Sequence, residues 1–258
     1  MSEYQTIKAS VKNGVGAIQL WRPEKRNALS TQLFEEVAHC LRGWRQDNDV
    51  AAVVVHGAED FFSAGLDLEI LDRPTEAARL AWYDATYYGY LELLEYPKPT
   101  IAAVSGPTYG GGCDIAVFCD IRVAAEGSTF GFPQVRFGLT PFVDPLWRVI
   151  GLSQAKLLTL TGRKIDAAEA LRIGLVDQVA PKTEFLAAAF DIAKDIAATG
   201  VETAVRATEM LRRSTSMDPQ AAYVYAHAQY RDCHWNKSVN DRIAAARASV
   251  SARKSARG

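Results

Sequence analysis

The chain reads as an α/β protein, with strands alternating with helices through residue ~180 and helices alone thereafter. Two observations predict this. Short apolar, β-branched runs at residues 51–55, 99–104 and 121–125 have the length of buried strands, and segments with helical spacing separate them. From residue 183 onward only helical patterns remain, broken near Gly200 and at Asp218-Pro219. With 258 residues, 48% of them hydrophobic, one large core plus a helical appendage can be buried. The expected division is therefore residues 1–182 for the core and 183–258 for the appendage.

The elements follow in order. Ile7, Ala9 and Val11 alternate with polar residues, and Asn13-Gly14 is a two-residue hairpin signal before a second strand at 15–20. A polar stretch, WRPEKRNALS, ends in Ser30, a candidate N-cap for a helix with Leu33, Phe34, Val37 and Leu41 on one face. After the strand at 51–55, FFSAGLDLEI makes a glycine-centred turn, and an aromatic-rich helix is expected over 71–96. Its aromatic stripe reads as packing or as a lid over a pocket. Pro97 and Pro99 end that helix and open the strand at 99–104. Beyond a strand at 121–125 come a turn at 128–131, an irregular loop at 139–147 holding Asp144, helices at 153–160 and 166–173, and a last strand at 175–179. His39, His56, His227 and His234 have no acidic neighbour in sequence that would orient an imidazole, so they read as structural.

A net charge of −1 and a pI near 6.4 argue against a dedicated nucleic-acid or membrane-surface protein. No apolar run approaches the ~18 residues of a membrane helix, and no signal peptide is recognisable. The four cysteines show no metal-ligand spacing and read as free thiols, which predicts a cytoplasmic location and no bound metal. Phosphate-loop, dinucleotide, HExxH and GxSxG motifs are all missing.

The stretch SGPTYGGGCDIAVFCD at 105–120 holds the chemistry that remains. A strand that breaks at three glycines and restarts as a helix leaves backbone N–H groups unpaired, within reach of a ligand. Asp114 stands in that first helical turn, as an acid favoured by the helix dipole or as a working carboxylate. A similar corner occurs at Ala64-Gly65-Leu66. If the two corners converge, two N–H donors face one oxygen atom, each contributing roughly 2.7–4 kcal/mol to an oxyanion-like transition state. A carboxylate one turn away then moves a proton at the neighbouring carbon, for about 10²–10⁴-fold more.

Five blocks in order, RPEKRNALS, FFSAGLDL, PKPTIAAVSGPTYGGGCDIAVFCDIRVAA, TFGFPQVRFGL and LTGRKIDAAEALRIGLVDQV, resemble the enoyl-CoA hydratase/isomerase (crotonase) family. The resemblance implies a ClpP/crotonase-like spiral of ββα units with a C-terminal helical region that packs trimers or hexamers. It implies an oxyanion hole from the N–H groups of Leu66 and Gly111 around an acyl-CoA thioester carbonyl. Arg22, Lys25 and Arg26 match the stretch that meets coenzyme A, Ala28 its groove, and Ala64, Gly65, Asp67 and Leu68 the flank of the corner. Lys237 and Lys254 are further candidates for reaching coenzyme A across a subunit boundary. Coenzyme A enters only as part of the substrate, with no other cofactor implied.

Two departures shape the expected activity. Hydratases of the family carry glutamate where this chain has Asp114 and Gln134, and an amide cannot transfer a proton. Aspartate after the glycine triplet resembles the dienoyl-CoA isomerases, whose further acid falls in the loop of Asp144. Asp144 either faces the pocket or caps the segment around Trp147. The expectation is enoyl-CoA hydration/dehydration or double-bond isomerisation through an enolate, with Asp114 as acid/base. The alternatives are another reaction of the family (hydrolysis, dehalogenation or decarboxylation) and a catalytically decayed coenzyme-A-binding scaffold.

Overall fold

The computed structural model describes residues 4–70, 75–235 and 237–255. Strands β1 (Ile7–Lys12) and β2 (Val15–Leu20) form an antiparallel hairpin in the register Ile7↔Leu20 to Lys12↔Val15. Asn13 and Gly14 turn it with φ of 52° and 80°, the left-handed pair that a two-residue hairpin requires. Helix α1 (Thr31–Trp44) starts where Ser30 Oγ accepts from the Leu33 N–H at 3.2 Å, so the expected N-cap is in place.

Strand β3 (Ala52–His56) and helix α2 (Glu76–Leu94) follow, the helix capped by Thr75. The first residues of the helix expected over 71–96 lie partly outside the described residues, and Glu95 closes its other end. Next come β4 (Thr100–Val104), β5 (Pro107–Tyr109), α3 (Gly111–Phe118), β6 (Ile121–Ala125) and β7 (Thr129–Gly131). Helix α4 (Leu146–Thr161), β8 (Lys164–Asp166), α5 (Ala167–Arg172), β9 (Gln178–Ala180) and α6 (Phe185–Thr199) complete the α/β part. Helix α4 begins earlier than the expected 153–160, continuing through a kink at Gly151.

The main sheet has the order β1-β2-β3-β4-β6-β9, parallel from β2 onward. A second sheet, β5-β7-β8, stands apart from it. Central strands of a parallel sheet are covered on both faces, which is why β3 and β4 read as unbroken apolar runs. Val53 and Val55 point into the core beneath α1 and α2, whereas Ala52 and Val54 point to the opposite layer with Phe185, Ala189 and Ala193 of α6. That second layer places α6 with the sheet. Accordingly the first compact unit runs to Val205, further than the boundary expected at 182. The second unit, from Arg206, contains the end of α7 (Val201–Ser214), α8 (Pro219–Cys233) and α9 (Lys237–Ser255). Within it Asp218 caps α8, accepting from the N–H groups of Gln220 and Ala221 at 3.0 Å.

Candidate active site

The site grows from a buried asparagine. Asn27 is 1% exposed and adopts a left-handed φ of 54°. Its amide donates to the Phe62 carbonyl at 2.9 Å and accepts from the Arg22 N–H at 2.8 Å. Ser63 Oγ donates to the Asn27 carbonyl at 2.7 Å and accepts from the Gly65 N–H at 3.2 Å. These bonds stitch the loop before α1 to the loop after β3. A short parallel ladder extends the seam: the Leu29 N–H donates to Gly65 O at 2.8 Å, and the Asp67 N–H donates to Leu29 O at 3.2 Å. In such a ladder the intervening residue turns its own N–H to the other side. The Leu66 N–H therefore faces away from Leu29.

The Gly65-Leu66 corner lies against the start of α3. At Gly65, φ is +92°, and a Cβ there would stand 2.4 Å from Tyr109 O and 3.4 Å from the Gly111 nitrogen. Gly112 interlocks from the other direction, since its Cβ would meet Ser63 O at 2.5 Å. Only glycine permits this approach of two backbones. The two corners converge.

Peptide orientation at Gly111 follows from its neighbours. The Gly110 carbonyl accepts from the Asp114 N–H at 3.0 Å, so it points along the helix. In a trans peptide the N–H opposes the carbonyl, so the Gly111 N–H points out of the α3 N-terminus. Among the described residues neither the Leu66 nor the Gly111 N–H donates to any protein group. Two free donors beside a helix N-terminus make an anion-stabilising corner.

Asp114 lies in the first turn of α3 and is 3% exposed. Burial holds its carboxyl well above the usual aspartate range, because the ionised form is poorly solvated there. Gln134, in a 3-10 turn over Pro133–Phe137, brings its Nε2 to 3.5 Å from Asp114 Oδ2. Its Oε1 is buried without a hydrogen-bond partner. Tyr90 of α2 completes the wall, 4% exposed, with its ring stacked on Phe118 at 4.8 Å. Phe34 and Phe142 meet the same ring edge-on at 5.0 and 5.2 Å.

The structure thus brings Leu66, Gly111, Asp114 and Gln134 together, with Gly65 at the seam. Asp144 is different. Its oxygens accept from Arg148 Nε at 2.8 Å and Nη2 at 3.0 Å, the pair is half-exposed, and the ion pair lowers the carboxyl pKa. This ion pair braces the start of α4, where Trp147 lies. Arg22 is also engaged within the protein. Its guanidinium is spent on Asp67, at 3.0 Å in a largely buried ion pair, and on the Ala28 carbonyl. Asp67 and Ala28 are correspondingly buried parts of the seam. Lys25 pairs with Glu69 at the surface, while Arg26, Ala64 and Leu68 are exposed beside it. The side chains of Lys237 and Lys254 lie outside the described residues.

Asn27, Ser63 and Tyr90 were not among the expected site residues. A buried asparagine inside a polar turn is the one signal that could have pointed to the first. Tyr90 is indistinguishable in sequence from the exposed Tyr83, Tyr87 and Tyr88 on the same helix.

A parallel sheet with a smaller second sheet, and a paired-amide corner beside a buried carboxylate, define the class of crotonase-fold enzymes. Comparisons with known proteins identify the family within it. The family profile described as Enoyl-CoA hydratase/isomerase matches residues 10–242. A protein named Probable enoyl-CoA hydratase from Mycobacterium bovis is 34% identical over 246 residues, covering 94% of this chain and 95% of that one. The mitochondrial Delta(3,5)-Delta(2,4)-dienoyl-CoA isomerase of Rattus norvegicus is 40% identical over 210 residues, covering 75% of this chain and 64% of the relative. A crystal structure of an enoyl-CoA hydratase from Bacillus anthracis superposes with a TM-score of 0.91 at 28% identity, covering 95% of this chain and 97% of that one. The chain belongs to the enoyl-CoA hydratase/isomerase family and is an acyl-CoA-processing enzyme.

Proposed function

We propose that the enzyme holds the thioester oxygen of an acyl-CoA between the N–H groups of Leu66 and Gly111 and moves a proton on the adjoining carbons with Asp114. The observation that supports this reading is the 3.4 Å approach of a Gly65 Cβ position to the Gly111 nitrogen, which brings the Gly65-Leu66 corner against the start of α3. Withdrawal of the α-proton or its vinylogous equivalent builds negative charge on that oxygen. Fixed dipoles already aimed at it lower the barrier without reorganising. Asp114, neutral over a wider pH range than an exposed aspartate, can return the proton as readily as it takes it.

One carboxylate beside a non-ionisable Gln134 suits a shuttle that lifts a proton from one carbon and returns it to another, a double-bond isomerisation. A second reading, hydration/dehydration, is favoured by the unpaired Gln134 Oε1, an acceptor for a water or a substrate hydroxyl. Supplying 2-enoyl-, 3-enoyl- and dienoyl-CoA thioesters in deuterated water separates these. Isomerisation moves the double bond with label at carbon alone, whereas hydration also yields a 3-hydroxyacyl product. The proposal fails if no thioester shows exchange, double-bond movement or hydration.

The coenzyme A portion is assigned to the exposed face carrying Lys25, Arg26, Ala64 and Leu68, where a phosphate can displace Glu69 from the solvated Lys25 pair. The C-terminal unit is assigned to a homotrimer or hexamer of this chain. Exposed Leu211, Tyr223, Val224, Tyr230 and Trp235 support that role. A cytoplasmic location is supported by free Cys40, Cys113, Cys119 and Cys233.

A further inference from the structure

The amide donor at Gly111 sits in a run of three glycines, where backbone rotation is cheap and an aimed N–H is expensive to keep. Two peptide planes meet at Gly111 Cα. The first, between residues 110 and 111, is held by the Asp114 N–H on the Gly110 carbonyl at 3.0 Å. The second, between residues 111 and 112, carries the Gly111 carbonyl, and this accepts from the hydroxyl of Tyr90 at 3.2 Å. The same hydroxyl lies 2.9 Å from where a Gly111 Cβ would stand, so it occupies space that any side chain at this position would need.

The tyrosine is itself immobilised. Stacking on Phe118 and edge contacts with Phe34 and Phe142 surround its ring. Phe118 closes the same helix that Gly111 opens, so α2 grips α3 at both ends. Burial keeps the phenol protonated well above its usual pKa, so the hydroxyl remains a donor. The acid/base step assigned to Asp114 makes no use of this hydroxyl.

We propose that Tyr90 is a positioning residue for catalysis: its hydroxyl bolts the 111–112 peptide, the second plane at Gly111 Cα, so that the glycine cannot rotate there and its N–H stays aimed at the thioester oxygen. The inference rests on the proposed oxyanion hole. A purely structural tyrosine would lose stability on removal of its hydroxyl and leave the chemical step untouched. A bolt on the donor does the reverse, since the ring packing survives in phenylalanine.

The test compares Tyr90→Phe with wild type in three measurements. The first is turnover of the thioester that wild type processes. The second is the absorbance red shift of bound cinnamoyl-CoA, whose conjugated carbonyl reports polarisation by the hole. The third is amide hydrogen exchange across residues 110–115. In the variant, kcat falls about tenfold with KM within about twofold. The red shift shrinks, and exchange in the first turn of α3 speeds up about tenfold or more while that of β3 and β4 is unchanged. Wild-type kcat and red shift in the variant overturn the inference. If wild type itself neither turns over a thioester nor shifts cinnamoyl-CoA, the oxyanion-hole reading fails. The catalytic role of Tyr90 falls with it, and exchange then decides only whether the hydroxyl holds the Gly111 backbone: equal rates in the two proteins refute that as well.

Discussion

A Cβ placed on Gly65 would stand 3.4 Å from the amide nitrogen of Gly111 and only 2.4 Å from the carbonyl oxygen of Tyr109. The neighbour is backbone and cannot swing aside, and φ at Gly65 is +92°. Gly65→Ala should therefore push the two corners apart, costing about 1–3 kcal/mol in backbone strain beyond the clash. Turnover should fall at least about a hundredfold, the loss expected for a displaced oxyanion donor. Urea unfolding and steady-state kinetics check this together. A variant with normal turnover would show that the seam does not hold the donors.

Asp114→Asn should lower kcat by about 10²–10⁴-fold while coenzyme A binding persists. The same substitution should raise stability at neutral pH. Burial lifts the folded-state pKa above the ordinary 3.8, so between those two values the native protein binds more protons than the unfolded chain. Stability then falls as pH rises through that window, and the penalty remains above it. The asparagine variant escapes the penalty. Melting curves at neutral pH and below pH 3.8 should show a gain at the first that disappears at the second. A variant less stable than wild type at both would contradict the assignment of an unsolvated carboxylate.

Gln134→Glu would put a second carboxyl about 3.5 Å from Asp114. Two like charges so close cannot both ionise easily, so one pKa of the pair rises further. The variant gains a group that can take a proton from water. Crotonyl-CoA hydration should rise above wild type, with its pH profile displaced upward. Unchanged hydration would mean that the pocket differs from a hydratase in more than this side chain.

Asn27→Ala should destabilise the protein without touching any substrate. It removes two hydrogen bonds and strands the Phe62 carbonyl and the Arg22 N–H, each at about 1–3 kcal/mol when buried. Because the seam positions Gly65 and Leu66, kcat should fall as well. Chemical denaturation is the direct measure, and a loss under about 0.5 kcal/mol would refute the role given to Asn27.

Arg22 and Arg26, four residues apart, should behave in opposite ways. Arg22→Met leaves the carboxylate of Asp67 buried without its partner, at about 3–5 kcal/mol. Arg26→Ala should leave stability unchanged and raise KM for the acyl-CoA, the difference shrinking as salt is added. Calorimetry and kinetics at two ionic strengths distinguish them. If Arg26→Ala has no effect on KM at low salt, coenzyme A lies elsewhere.

Much of this architecture could be read in the chain because it rests on local rules. The Asn13-Gly14 hairpin, the Ser30 cap and the apolar strands β3, β4 and β6 each follow from a few adjacent residues. The second sheet could not be read that way. Its strands, β5, β7 and β8, are three residues each, shorter than any alternation a sequence displays, and they exist only through pairing with one another. Helix α6 was expected in the appendage because its amphipathic pattern does not say which surface it covers. Phe185, Ala189 and Ala193 complete a layer whose other half is the far face of the sheet.

The candidate site divides along the same line. The glycine corners at 64–66 and 110–112 and the carboxylate of Asp114 are visible as residue types, since glycine is the residue that allows such turns and a carboxylate is one of the few groups that can transfer a proton there. Whether two amides meet depends on contacts between segments tens of residues apart, and Asn27, Ser63 and Tyr90 supply those contacts. Folding likewise joined Asp144 to Arg148 and Arg22 to Asp67, engaging two charges that the family resemblance had offered as site residues. The chain by itself determined which groups were available. Folding determined which of them remain free, because a charge or an amide can act on a ligand only if no neighbour has already claimed it.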